Sequence, residues 1–296
     1  TLNTSENSTL YNFDIVEPYI FNKNLSFIYG INYHELDYGE SSSYDLTNFS
    51  TETGFKYLLS EDLKHMITIE YVLKDYNITD SSTVSSDIKE LSGANVDINI
   101  KNNITYNKLN SFIRPTKGTY FNFLNKISPT TNSDNGTIKN VLTHKKYFNL
   151  NSNILSIQSK IGNIISLQDT SIPSDEKFSL GGRWLRGFDL YGAGPRNSRT
   201  AYIGGKNLIV SKIDYQRPIF KNADNPTDLN IFFDVGKVFD NKNKPTDSTE
   251  SIRSSYGLGI KFYSPIGPIG FSWAFPVSSE NYDIKRMFIF SIGQLN

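Results

Sequence analysis

Side chains along this chain alternate in polarity with a period of two, and the alternation returns throughout its length. Leu25, Phe27, Tyr29, Ile31 and Tyr33 share one parity, opposite Ser26, Gly30, Asn32 and His34. Leu155, Ile157, Ile161, Ile165 and Leu167 stand opposite Ser156, Gln158, Lys160, Gly162 and Ser166. Nearer the C-terminus, Tyr256, Leu258, Ile260 and Phe262 alternate with Ser255, Gly257, Gly259 and Lys261. Ile269, Phe271, Trp273 and Phe275 do the same against Pro268, Gly270, Ser272 and Ala274. Successive side chains of a strand point to opposite faces, so each run reads as a strand with one apolar and one polar face. Helical spacing is almost absent. The pattern predicts thirteen strands, at 9–18, 25–37, 44–58, 64–76, 93–107, 118–129, 138–149, 154–167, 205–217, 229–239, 252–263, 267–276 and 286–294.

The two parities differ in kind. The polar one is small and hydrophilic, rich in Ser, Gly, Asn, Lys and Gln, as residues facing water or a crowded lumen would be. The apolar one is rich in Phe, Tyr and Ile, as an aromatic-girdled lipid face would be. Long polar loops at 38–45, 77–91, 130–137, 169–205 and 240–251 alternate with short turns at 17–24, 59–63, 106–118, 149–153, 218–228 and 264–268. The expected class is all-β: a transmembrane antiparallel β-barrel. No segment approaches the roughly 20 apolar residues of a membrane-spanning helix. Bacterial single-chain barrels have even strand numbers, and an open thirteen-stranded sheet would leave two unpaired edges. The odd count therefore predicts further strands before Thr1. The polar start, residues 1–8, carries no signal-peptide pattern. No linker, second domain or short-period repeat interrupts residues 1–296, which read as one barrel domain.

Composition narrows the chemistry. Thirty basic and thirty acidic side chains give a net charge of zero, without the electrostatic footprint of a nucleic-acid binder. The absence of cysteine excludes disulfides, thiolate zinc sites and a Cys nucleophile. The three histidines, His34, His65 and His144, lie on different predicted strands without ligand spacing. No metal, no cofactor and no catalytic residue is expected. Neither a G-x-S-x-G elbow nor a phosphate-binding loop is present. A passive porin, a barrel-borne hydrolase and a soluble glycan-binding β-domain all remain open on these grounds.

The longest loop contains Gly181-Gly182, then Leu185-Arg186-Gly187-Phe188. This resembles the G-G-x-x-x-[VL]-R-G-[FY] loop of the BamA family of outer-membrane β-barrel insertases. The likeness continues in order through Gly204-Gly205-Lys206-Asn207, the run 215–218 (YQRP), the run 232–238 (FFDVGKV), the run 256–259 (YGLG), the run 264–269 (SPIGPI), the run 274–276 (AFP) and the terminal run 288–293 (FIFSIG). Upstream, Glu17-Pro18-Tyr19 and Pro115-Thr116-Lys117-Gly118 resemble that family's strand-end and periplasmic-turn signatures.

The resemblance implies a partial barrel of about 13 of 16 strands, with a long loop folded into the lumen. It implies that residues 1–296 form a C-terminal outer-membrane barrel domain, and that periplasmic POTRA domains and about three first strands are missing. Arg186 would then need anionic partners, because an unpaired charge away from bulk water is costly. Asp214 and Asp234, both of lumen parity, are the matching acids. Gly187 would allow a tight turn, and Phe188 would wedge against the lumen wall. Phe288, Phe290, Ile292 and Gly293 fall on the last strand, where the family's barrel closes weakly along a lateral seam. Trp273 has lipid-facing parity, Trp184 belongs to the folded-in loop, and Lys117, Lys126 and Lys212 read as lumen or rim charges. The implied activity is folding and insertion of outer-membrane proteins, with unfolded outer-membrane proteins, lipid and lipopolysaccharide, accessory lipoproteins and periplasmic chaperones as partners. Related family members that assist autotransporters (TamA-like) or export a passenger polypeptide (two-partner secretion) are the alternatives.

Overall fold

The computed structural model describes residues 2–5, 8–37, 43–129, 136–168, 172–197, 201–220, 226–240, 250–264 and 267–292. The strands of the main sheet are β1 (Leu2–Ser5), β2 (Ser8–Glu17), β3 (Leu25–Asp37), β4 (Tyr44–Leu58), β5 (Leu63–Ile78), β6 (Gly93–Asn107), β7 (Gly118–Ser128), β8 (Thr137–Leu150) and β9 (Asn153–Ser166). Three two-residue strands follow in the long loop: β10 (Gly187–Phe188), β11 (Arg196–Asn197) and β12 (Ala201–Tyr202). The sheet resumes with β13 (Asn207–Phe220), β14 (Thr227–Phe239), β15 (Arg253–Ser264) and β16 (Gly267–Ser278); the two-residue β17 (Lys285–Arg286) stands outside it, and β18 (Phe288–Ile292) ends it.

One antiparallel sheet takes β1 to β9, β13 to β16 and β18 in chain order. Short turns can join antiparallel neighbours directly, so no crossover is needed. Among the described residues no ladder joins β1 to β18, and the sheet is a partial barrel. Twelve of the thirteen predicted strands lie where the alternation places them, and with β1 and β18 the sheet counts fourteen strands among the described residues rather than the expected odd thirteen. Two details differ. β1 pairs with β2 from Leu2↔Tyr11 to Ser5↔Ser8, and four residues are too few to display a period. The predicted strand at 286–294 is split at Met287, with β17 and β18 taking different partners.

The parities separate as outward and inward faces. On β14, Ile231 is 55 % exposed while Asp228 and Asp234 are fully buried. Tyr215 and Leu258 flank Ile231 on the neighbouring strands, and both are exposed. Apolar residues thus line the outside and polar ones the inside, the arrangement of a barrel in lipid. Trp273 is exposed on the outer face.

The cores sit inside the curve of the sheet rather than between two stacked layers. Leu180, Leu185 and Phe188 of the long loop pack on Ile164, Leu208, Val210 and Val238 of the inner wall, with Trp184 against them. A second cluster joins Tyr44, Leu46 and Tyr76 to Val84, Ile88 and Leu91, around a single helical turn, α1 (Ser86–Glu90). Five residues are too short for a helical period to show in the sequence.

Candidate functional site: the loop folded into the lumen

Between β9 and β13 the chain turns inward. The stretch from Gly181 to Phe188 closes on itself, with the Gly182 amide donating to the Phe188 carbonyl at 3.0 Å and the Trp184 amide to the Gly181 carbonyl at 3.3 Å. Gly181 holds φ +131°, and a Cβ there would run into the Asp189 carbonyl oxygen. Gly187 holds φ +91°, with Ser255, Ala274 and Pro276 crowding the place a Cβ would take. Both positions favour glycine because L side chains disfavour positive φ. Leu185 and Phe188 are fully buried. Their burial in the loop's own core anchors the turn against the wall.

That anchoring delivers Arg186 to β13 and β14. Its Nε donates to Asp234 Oδ2 at 2.7 Å and its Nη2 to Asp234 Oδ1 at 2.6 Å. Its Nη1 and Nη2 donate to the two Asp214 oxygens at 2.9 and 3.0 Å. The planar fork therefore engages two carboxylates in bidentate fashion, which a lysine could not do. Phe232, on the inner face of β14 and opposite Asp214 in the β13–β14 register, lies under the guanidinium at 3.5 Å. Asn230 donates to Asp214 Oδ1 at 3.0 Å, and Ser255 donates through its hydroxyl to the Arg186 carbonyl. Burial alone would lower the Arg186 pKa, but Asp214 and then Asp234 raise it above the usual arginine value. Lys261 Nζ stands 3.9 Å from Asp214, so two carboxylates are met by more than one cation.

A second anchor of opposite polarity went unread in the sequence. Glu176 of the loop accepts from Lys74 Nζ at 2.5 Å and from Lys126 Nζ at 2.7 Å. Asp175 accepts from Lys74 at 3.1 Å and from the Tyr76 hydroxyl at 2.8 Å. Lys139 donates to the Glu176 carbonyl at 2.6 Å, and Asp97 completes the site 2.9 Å from Lys74. Burial opposes the Glu176 charge, yet Lys126, Lys74 and Lys139 hold its carboxyl well below the usual range. The signal available was an acidic pair in the loop together with Lys74, Lys126 and Lys139 at lumen parity. Lys126 and Lys212 are indeed lumen charges, and Lys212 donates to the Arg183 carbonyl at 2.7 Å.

The loop also reaches the end of the chain. Gly187 and Phe188 pair with Arg286 and Lys285, so β10 and β17 form a small ladder inside the barrel. The Asp189 amide donates to the Ile284 carbonyl at 3.0 Å, and the Ile284 amide to the Gly192 carbonyl at 2.9 Å. Arg286 Nη1 lies 3.3 Å from Asp189 Oδ1. This explains the split of the last predicted strand: its first residues are taken by the loop. β18 pairs with β16 over five residues, from Ile269↔Ile292 to Trp273↔Phe288. Phe288, Phe290 and Ile292 point outward and are exposed. The Phe288 ring lies 5.4 Å from Trp273 and that of Phe290 5.2 Å from Phe271. Gly293 lies outside the described residues.

Comparison with known proteins agrees with this architecture. Curated relatives include "Outer membrane protein assembly factor BamA" of Nitratidesulfovibrio vulgaris, 28 % identical over 225 residues, covering 74 % of this chain and 28 % of that protein. The protein of the same name in Neorickettsia risticii is 24 % identical over 233 residues, covering 76 % of this chain and 30 % of that protein. The chain thus spans less than a third of the length of these relatives. Among solved structures, BamA from Haemophilus ducreyi lacking POTRA domains 1–3 superposes with a TM-score of 0.82 at 20 % identity, covering 96 % of this chain and 61 % of that one. CdiB from Acinetobacter baumannii superposes less well, with a TM-score of 0.55 at 12 % identity over 98 % of this chain and 57 % of that one. These two likenesses concern the fold. The Omp85 superfamily domain matches residues 1–295, and the chain belongs to the Omp85 superfamily.

Proposed function

We propose that this chain is the membrane-embedded barrel of an outer-membrane protein assembly factor, which folds and inserts β-barrel proteins through a lateral seam beside its last strand. Its place is the bacterial outer membrane. The observation that supports the reading most is the shared anchorage of loop and seam. One eight-residue turn holds Arg186 on the barrel wall and pairs Gly187 and Phe188 with the segment that leads into β18. β18 itself is held by a five-residue ladder, against eleven register pairs between β15 and β16.

In this reading an incoming unfolded outer-membrane protein adds a strand to the edge that β18 exposes when the seam opens, as in strand augmentation. The driving free energy is strand pairing together with burial of the substrate's apolar face in lipid, where every backbone polar group must find a partner. No cofactor and no catalytic residue is invoked. Asp214 and Asp234, buried on the inner wall, are both engaged by Arg186. Accessory lipoproteins and periplasmic chaperones would act through POTRA domains of the whole protein, with lipid and lipopolysaccharide around the barrel.

The test uses the full-length protein in lipid vesicles with a cysteine pair engineered between β18 and the first strand of the complete barrel. This chain supplies no competing thiol. Oxidation should stop accelerated insertion of an unfolded barrel, and reduction should restore it. An oxidised seam that inserts as fast as a reduced one would leave passenger export or passive conduction as the activity.

A further inference from the structure

The turn joining β6 to β7, residues 108–117, is held in shape by Asn110. Its Oδ1 accepts from the amides of Thr116 and Lys117 at 2.9 and 3.0 Å, and its Nδ2 donates to Thr116 Oγ1 at 2.9 Å. The Arg114 amide donates to Ser111 Oγ at 3.1 Å. From this frame the Arg114 side chain reaches β14, donating from Nε to Asp228 Oδ2 at 2.9 Å and from Nη2 to Asp228 Oδ1 at 2.7 Å. Three strands, β8, β9 and β13, separate β7 from β14 in the sheet. The contact is therefore a chord across the short-turn mouth of the barrel, and Tyr263 lies under the guanidinium at 5.4 Å.

Asp228 is fully buried, and across the β14–β15 ladder it stands directly opposite Lys261. Lys261 Nζ is 3.9 Å from Asp214 Oδ1, the oxygen that Arg186 Nη1 holds at 2.9 Å. Arg114, Asp228, Lys261, Asp214 and Arg186 thus form a run of alternating charge. It extends from the short-turn mouth to the folded-in loop. Lys261 has a carboxylate on either side, Asp228 across the ladder and Asp214 at 3.9 Å.

We propose that Arg114 is a positioning residue for the Arg186 lock: by satisfying Asp228 it leaves Lys261 to serve Asp214. Without Arg114 the buried Asp228 claims Lys261, and the two acids under Arg186 lose part of their counter-charge. The state of the short-turn mouth is then felt at the loop. This reading goes beyond the proposed activity and does not depend on it.

Two substitutions that break the same ion pair distinguish this arrangement from a plain strut. Arg114→Ala takes the guanidinium from Asp228 and leaves it the neutral Tyr263 hydroxyl, so protease cutting between residues 169 and 205 of the folded protein in detergent should rise roughly tenfold, a size that coupling within one charge network reaches. Asp228→Asn removes the competitor, and Arg114, part-exposed at the mouth, turns to solvent. Cutting should then stay within about twofold of the unmodified protein. The double variant R114A/D228N should return to the slow rate, and should recover folding if R114A alone folds poorly. Heat-dependent gel mobility reports the barrel itself in each case. Equal loosening in both single variants, or a double variant as loose as R114A, would overturn the assignment.

Discussion

Asp234 receives three donors from one residue: the backbone amide of Arg186 at 3.0 Å, its Nε at 2.7 Å and its Nη2 at 2.6 Å. Main chain and side chain of the loop tip are fixed on a single carboxylate, so the turn cannot rotate about the guanidinium. Asp214 then uses the other edge of the fork.

Removing that fork should free the loop. Arg186→Ala leaves two buried carboxylates without their main cation, a loss of about 3–5 kcal/mol for a broken buried pair. Limited proteolysis between residues 169 and 205 should accelerate sharply while the barrel stays folded. Unchanged cutting would mean that the ion pairs do not hold the loop.

Glycine at the turn should be harder to replace at position 181 than at 187. Both sit at positive φ, which strains any substitute by about 1–2 kcal/mol, but a Cβ at 181 also meets the backbone of Asp189, whereas at 187 it meets side-chain atoms at 3.3–3.4 Å. Gly181→Ala should therefore loosen the loop more than Gly187→Ala in hydrogen exchange of the Leu180–Leu190 amides. The reverse order would contradict the turn geometry.

Acid should release the opposite end of the loop. The Glu176 carboxyl is held well below its ordinary value, against the cost of burial, by Lys126, Lys74 and Lys139. A depressed folded-state pKa contributes stability that is present above the unfolded value of about 4.3 and is lost as pH falls through the folded one. Hydrogen exchange around Glu176 should rise on acidification below about pH 4, and Glu176→Gln should abolish that dependence while raising exchange at neutral pH. A flat profile in the unmodified protein would show that this anchor carries no charge-dependent stability.

The outer face offers a direct check of membrane orientation. Ile231→Arg places a charge among Tyr215 and Leu258, at a cost of about 2–4 kcal/mol near the bilayer midplane. Refolding into vesicles, followed by denaturant titration, should show that loss. Free tolerance of arginine there would mean the apolar parity does not face lipid.

Much of the fold was legible in the chain because the pleat that alternates side chains is local. Each strand reports its own two faces, and the lumen parity of Asp214 and Asp234 followed without knowledge of their neighbours. The Arg-Gly-Phe loop was recognisable through its resemblance to the BamA family's motif, whereas the crowding that favours glycine at 187 comes from Ser255, Ala274 and Pro276, far along the chain. The anchor at Glu176 was not readable in this way: its lysines belong to β5, β7 and β8, and nothing periodic links them to the loop.

The sequence by itself determined the strand pattern and the inward and outward faces, both consequences of chemistry repeated at short range, and it carried the loop motif as a family resemblance. Tertiary structure alone decided which charges meet. The curvature of the sheet brings Arg114 to Asp228, 114 positions away, and Lys74 to Glu176, 102 positions away. It also decided that the last predicted strand divides, because the backbone groups of Lys285 and Arg286 find partners on the folded-in loop rather than on β16.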